Sequence, residues 1–173
     1  MLPEVRALID RFGLTPLPVE GTLYVNTYVS QARTAFGEPA GTAIVGLYAE
    51  DPPSFSCFHR LSADEIWHVY GGDPFRLILL HEDGRSEDVV MGSDLDAGQR
   101  VQYIVPAGVW QAGHLIAGGR YALYGTTMTP GFTPAGFEVA DAAELIAFCP
   151  DRAEDIARYA VRGEHELPPG FTV

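Results

Sequence analysis

Only two of the 173 residues are cysteine, Cys57 and Cys149, which is too few for a disulfide framework. The expectation is a pair of reduced thiols in a cytoplasmic protein, with one long-range bridge as the other reading. Positive charge is also scarce: 11 basic residues face 23 acidic ones, a formal net charge of −12. Nucleic acid and anionic membrane both require a basic face, so neither is expected as a partner. No stretch approaches the roughly 18 consecutive apolar residues of a membrane-crossing helix. The opening MLPEVRALIDRFG carries acids early and lacks an apolar segment before a cleavage site, so it does not read as a signal peptide. Phosphate loops, dinucleotide fingerprints and zinc-protease helices are missing, and Ser54 and Ser56 sit in no nucleophile elbow.

What is present suits many short strands. A hydrophobic content of 47%, with 19 glycines and 13 prolines spread along the chain, fits one domain over residues 1–173. Its core is expected over about 14–140, with a helical extension and tail over 141–173. Pro3–Phe12 reads as a helix, because Val5, Leu8, Ile9 and Phe12 recur at helical spacing and Gly13 follows as a stop. From Gly21 onward the period changes to two. Strands are predicted at Thr22–Val29, Thr42–Ala49, Phe55–Leu61, Glu65–Tyr70, Phe75–His81, Ser86–Met91, Val101–Val105, Trp110–Leu115 and Arg120–Thr127. The turns between them are marked by Gly71-Gly72-Asp73-Pro74, Glu82-Asp83-Gly84, Asp96-Ala97-Gly98 and Ala117-Gly118-Gly119. So many strands without intervening helices imply an all-β jelly-roll barrel or sandwich. Asp141 is a candidate N-cap for Ala142–Phe148, and Pro150–Ala160 reads as a further short helix.

Two segments carry a more specific pattern. In FHRLSADEIWHVYGG, His59, Glu65 and Gly72 hold the spacing of a His-x-His, Glu, Gly motif, with Leu61 at the second His position. In IVPAGVWQ, Pro106 and Gly108 hold that of Pro-x-Gly-x-x-His, with Gln111 in place of the His. These paired motifs resemble the cupin superfamily, and the flanking residues resemble its small single-domain cupin-5 branch, a domain of unknown function. The resemblance runs from about Leu8 to about Pro150. Glu20, Gly21, Tyr24, Thr27 and Tyr28 match the branch's opening stretch, and Arg60, Asp64, Trp67 and His68 match its motif strand. Val25, Asn26 and Val29 stand where the branch usually has Arg, Glu and Arg, which suggests an altered pocket or sheet edge. The resemblance implies a cupin jelly roll with a short N-terminal helix and C-terminal helices.

Strand alternation says which side chains share a face. His59 and Leu61 point the same way, with Cys57; Glu65, Trp67 and Val69 share a face, and His68 points oppositely with Ile66 and Tyr70. The resemblance places Gln111 inside as well. The predicted cavity therefore gathers His59, Leu61, Glu65, Trp67 and Gln111, with Tyr24 and Tyr28 as phenols on a neighbouring strand. With Leu and Gln replacing two imidazoles, the ligand set is poor for a transition metal, and neither metal nor cofactor is expected. His59 is the candidate acid or base, Glu65 its partner and Gln111 a substrate-positioning amide. Trp67, Tyr24, Tyr28, Leu61 and His68 complete the candidate binding set, although His68 is by parity as well read as an interface residue. Glu65 is expected to pair with Arg60 or Arg76 if it is only structural. His81, His114 and His165 read as solvated, and Glu82, Asp83, Glu87 and Asp88 as a hairpin surface. The expected activity is metal-independent acid–base chemistry of isomerase, epimerase, cyclase or lyase type on a polar metabolite. This is distantly similar to sugar-nucleotide 3,5-epimerase-like cupins. The alternatives are a non-catalytic ligand-binding barrel and a metal-dependent oxygenase with a degenerate site. An open barrel edge needs covering, so a homodimer is expected.

Overall fold

The computed structural model describes residues 1–171. Eleven strands form two antiparallel sheets, with helices on both outer faces. One sheet has six strands in the order β1 (Thr15–Pro16), β2 (Leu23–Val29), β3 (Thr42–Ala49), β10 (Tyr121–Met128), β5 (Glu65–Gly72) and β8 (Gln102–Val105). The other has five, in the order β11 (Phe137–Val139), β4 (Ser56–Leu61), β9 (Trp110–Leu115), β6 (Phe75–Leu80) and β7 (Ser86–Met91). Consecutive strands repeatedly cross between the sheets, which is the jelly-roll winding. The nine strands expected from the sequence are all present within two residues at each end. The short pairs β1 and β11 are additions that two- and three-residue segments give no periodicity to reveal.

The helices make the sandwich four layers deep. α1 (Pro3–Phe12) starts with Pro3 in its first turn and stops at Gly13, whose φ of 66° an L side chain tolerates poorly. Its apolar stripe packs Val5 against Leu23 and Leu47 on the outside of the six-stranded sheet. α2 (Ala142–Phe148) is started by the Asp141–Glu144 capping box. The segment expected as one helix from Pro150 instead begins as a 3-10 turn, Pro150–Arg152, and continues as α3 (Ala153–Tyr159). Leu145, Ile156 and Tyr159 cover Phe58, Ile78 and Leu80 on the outside of the five-stranded sheet. Leu77 and Leu79 point the other way, into the space between the sheets. This double burial is why residues 77–80 form an unbroken apolar run and do not alternate.

At the closed end of the sandwich, Tyr48, Trp67, Phe75 and Tyr124 are almost fully buried and pack ring against ring. The Tyr124 hydroxyl meets Thr22 at 2.7 Å and the Tyr48 hydroxyl meets Ser56 at 2.7 Å, so neither phenol is buried without a partner. Two strand glycines make room for these rings. A Cβ at Gly46 would lie 2.2 Å from the Tyr124 ring, and one at Gly113 would lie 2.2 Å from the Tyr48 hydroxyl. Gly46→Ala is therefore expected to cost about 1–3 kcal/mol by overpacking. Urea unfolding should show this as a lowered midpoint with an unchanged slope, and an unaltered midpoint would mean that the rings shift freely.

Candidate functional site

The aromatic plug closes one end of the barrel and leaves a cavity at the other. Its volume is about 50 Å³, narrow beside the roughly 300 Å³ and more of drug-sized ligand sites, and it opens to solvent at its mouth. β4 contributes His59 and Leu61, β5 contributes Glu65, and β2 contributes Tyr24 and Asn26. Glu20 enters from the turn before β2, and Thr126 from β10. Phe132 and Phe137 form an aromatic side, where His59 stacks on Phe137 at 5.6 Å between ring centres. Leu167 and Phe171 from the tail complete the wall, and His165 pairs with Asp141 at 2.9 Å where the tail crosses.

His59 is 2% exposed, and its Nδ1 lies 2.8 Å from the carbonyl oxygen of Cys57. A carbonyl only accepts, so Nδ1 carries the proton and donates it. In the neutral ring Nε2 is then an acceptor, and it has no hydrogen-bond partner among the described residues. β4 is irregular here: Ser56 faces Gly113 of β9 while His59 faces Gln111, three steps opposite two. The bulge turns both Ser56 and His59 inward, so the simple alternation that grouped Cys57 with His59 fails at this point.

Glu65 is fixed from behind. Gln111 donates from Nε2 to a Glu65 carboxylate oxygen at 2.8 Å and accepts at Oε1 from the Trp67 indole N–H at 2.9 Å. Both Gln111 and Trp67 are at most 2% exposed and stand behind the cavity wall. Neither lines the cavity: the Gln111 amide is engaged at both ends, and Trp67 packs in the core. Burial raises the Glu65 carboxyl above its ordinary value, His59 pulls it back, and the charge of Glu20 raises it further. Neither expected arginine reaches Glu65. Arg60 pairs with Glu138 at 2.6 Å and lies over the Trp110 ring, while Arg76 pairs with Asp155 at 2.9 Å.

Other expected members lie elsewhere. Tyr28 is 56% exposed and follows a register shift in β2, outside the cavity. His68 lies on the outer face of the six-stranded sheet against Thr127 and Gln102, as strand parity allowed. His114 is not solvated: it stacks on Tyr159 at 4.2 Å and accepts from Arg76 at 3.1 Å. Of the three substituted positions on β2, only Asn26 lines the cavity; Val25 packs beneath α1. The residue missed by the candidate set is Glu20. The sequence signal available for it is its match to the branch's opening stretch; in the structure Val19, a β-branched residue held at φ 68°, turns the chain just before it. The Glu20 carbonyl then accepts from the Cys57 N–H at 3.0 Å, tying this turn to β4. Burial and the charge of Glu20 both raise the Tyr24 phenol, which stays protonated at neutral pH.

A metal does not suit this donor set. Among the described residues no three His, Cys, Asp or Glu side chains converge closely enough to hold one. Leu61 offers no lone pair, and the Gln111 oxygen is committed to Trp67.

The raised Glu65 carboxyl has a consequence for stability. Its folded-state value lies above its unfolded value, so the native state holds the extra proton between the two, and stability falls as pH rises through that window and remains lower above it. Glu65→Gln is therefore expected to be more stable than the wild type above the window and to lose that advantage below about pH 4, near the unfolded carboxyl value. Urea unfolding across pH measures this, and a variant less stable at every pH would refute it.

Sequence and structure comparisons agree with this architecture. Residues 6–140 match the family model described as "Cupin superfamily (DUF985)". No curated protein matches by sequence. A hypothetical protein from Leishmania major is 28% identical with a TM-score of 0.82, covering 91% of this chain and 98% of its own. A protein from Shewanella oneidensis is likewise 28% identical at 0.82, over 91% and 97%. A Bacillus subtilis oxalate decarboxylase variant shares the fold alone, at 14% identity and 0.52 over 90% of this chain and 40% of its own. The matched span covers most of the chain, and the two-sheet jelly roll is what such a match requires. The chain belongs to the DUF985 family of the cupin superfamily.

Proposed function

We propose that this cupin is a small-molecule enzyme that moves protons at a carbon beside a carbonyl, without a metal, in isomerase, epimerase, cyclase or lyase fashion. The observation that carries the reading is His59, with Nδ1 committed to the Cys57 carbonyl and Nε2 left as an acceptor in the cavity beside Glu65. Nε2 takes the substrate proton, and the bond's electron pair moves toward the carbonyl oxygen. Glu65 steadies the resulting imidazolium, held in place by Gln111. The Tyr24 phenol, kept protonated, is the second proton carrier and returns a proton to the substrate. The chain contains no lysine, so imine formation on a lysine amine is not a route open to it.

The alternative is a barrel that binds without turnover, favoured by the largely apolar aromatic wall of Phe132, Phe137 and Phe171. Deuterium exchange separates the two. Carbonyl metabolites incubated in D₂O with the protein should gain deuterium, read by mass spectrometry, with or without EDTA. His59→Gln should lower the rate by roughly 10²–10⁴-fold while ligand affinity persists. No exchange across a broad panel, or affinity lost together with rate, favours binding alone.

The protein is proposed to work as a homodimer. β8 is an edge strand of the six-stranded sheet, and Val101 and Ile104 are about half exposed there, with Tyr70 exposed on neighbouring β5. Pairing two copies along this edge covers unpaired backbone and apolar side chains together. Sedimentation equilibrium should give twice the chain mass, and Ile104→Lys should give monomers. A monomeric wild type would refute the pairing.

A further inference from the structure

The cavity has two carboxylates and no arginine or lysine among its lining residues. Glu20 and Glu65 both line it, while no arginine does, and the chain has no lysine to offer. Among the described residues neither carboxylate belongs to an ion pair with an arginine; the arginines are instead paired around the outside, as with Arg60–Glu138, Arg120–Glu4 and Arg152–Asp88. A cavity facing two carboxylates with no fixed cation repels an anion and pays for each charge it keeps out of water.

The hydrogen-bonding groups lean the same way. His59, almost fully buried, directs an unpartnered Nε2 acceptor into the space. Asn26 Oδ1 is buried without a partner. The hydroxyls of Tyr24, Thr42 and Thr126 and the Asn26 amide, which has an NH2 beside its oxygen, act in either sense, while His59 Nε2 and the two carboxylates present lone pairs. Opposite them stands the aromatic side of Phe132, Phe137 and Phe171, with Phe132 and Phe171 edge to face at 6.4 Å. Ring faces attract a cation as well as an apolar body.

We infer that the ligand of this cavity is an organic cation, a protonated amine on a small apolar or carbonyl-bearing body, with its N–H groups directed to Glu20, Glu65 and Asn26 and its body against the phenylalanines. The ammonium supplies donors to these lone pairs and the positive charge that the two carboxylates need. It deepens the catalytic reading by naming a substrate class, and it rests on that reading only for the site. Glu20 becomes the specificity residue, carried into the cavity by the turn at Val19, whose φ is 68°.

Matched ligands test this directly: benzylammonium, benzyl alcohol and benzoate share a body and differ in charge, as do the cyclohexylmethyl and isobutyl series. Titration calorimetry of the full chain at fixed ionic strength should show an ammonium member binding about tenfold or more tighter than its alcohol, and no saturable carboxylate binding. Glu20→Gln should weaken the ammonium member severalfold and so narrow that preference, with Glu65 still in place. As a check that needs no variant, ammonium affinity should fall with falling pH as Glu65 takes up a proton. Glu20, His59 and Tyr24 face the same space, and Tyr24 stays neutral. A carboxylate that binds as well as its ammonium partner, or no ammonium binding in any series, overturns the inference. Ammonium preference without deuterium exchange sinks the catalytic reading alone, and exchange without ammonium preference sinks this inference alone.

Discussion

One side-chain amide joins the two sheets at the level of the cavity. Gln111 on β9 accepts from Trp67 and donates to Glu65, two residues apart on the same face of β5. Each half of the amide does what the other cannot, so the Trp67 N–H and the Glu65 carboxylate are both satisfied in a place that water does not reach. An unsatisfied buried group there would cost about 1–3 kcal/mol, and more if charged. The aromatic plug can thus end in a dry wall, and the cavity can begin with an oriented carboxylate immediately in front of it. Packing and chemistry meet at that one bond pair.

The rest of the site follows from how strands enter this frame. The β4 bulge rotates His59 inward beside Phe137, and the turn before β2 brings Glu20 to the same space. Helices on both outer faces free the inner faces from carrying all of the apolar burial. The inner face can therefore spend several positions on Glu65, Gln111, His59 and Thr126. Buried polar groups of this kind reduce stability and are tolerated because the remaining layers supply enough apolar contact.

The strands were legible because period-two alternation and glycine-rich turns are local signals, and the His59–Glu65–Gly72 spacing carried the fold class. Parity located Glu65 and sent His68 outward. What stayed hidden depended on distance in three dimensions. Nothing local says that Gln111 spends both ends of its amide on Trp67 and Glu65. Arg60 was a plausible partner for Glu65 by proximity in sequence, yet strand alternation points it outward to Glu138 on β11, a strand too short to foresee. Glu20 lay outside any strand, so face arguments never reached it. The tail residues Leu167 and Phe171 close the cavity from the far end of the chain, where sequence offers only a proline-rich composition.

The doubly engaged Gln111 also bears on ancestry. In the four-ligand pattern that the two motifs resemble, imidazoles stand at positions 61 and 111. Returning Leu61 to His would supply one ligand and leave the amide locked between its partners. Changing Gln111 to a metal-ligating His first would commit its lone pair to the ion and leave the Trp67 N–H without an acceptor. Neither single substitution therefore assembles the ligand set: one leaves the amide where it is, and the other unsatisfies the indole. The amide held between indole and carboxylate thus fixes position 111 to packing, and a change in what the cavity binds falls to the residues that line it.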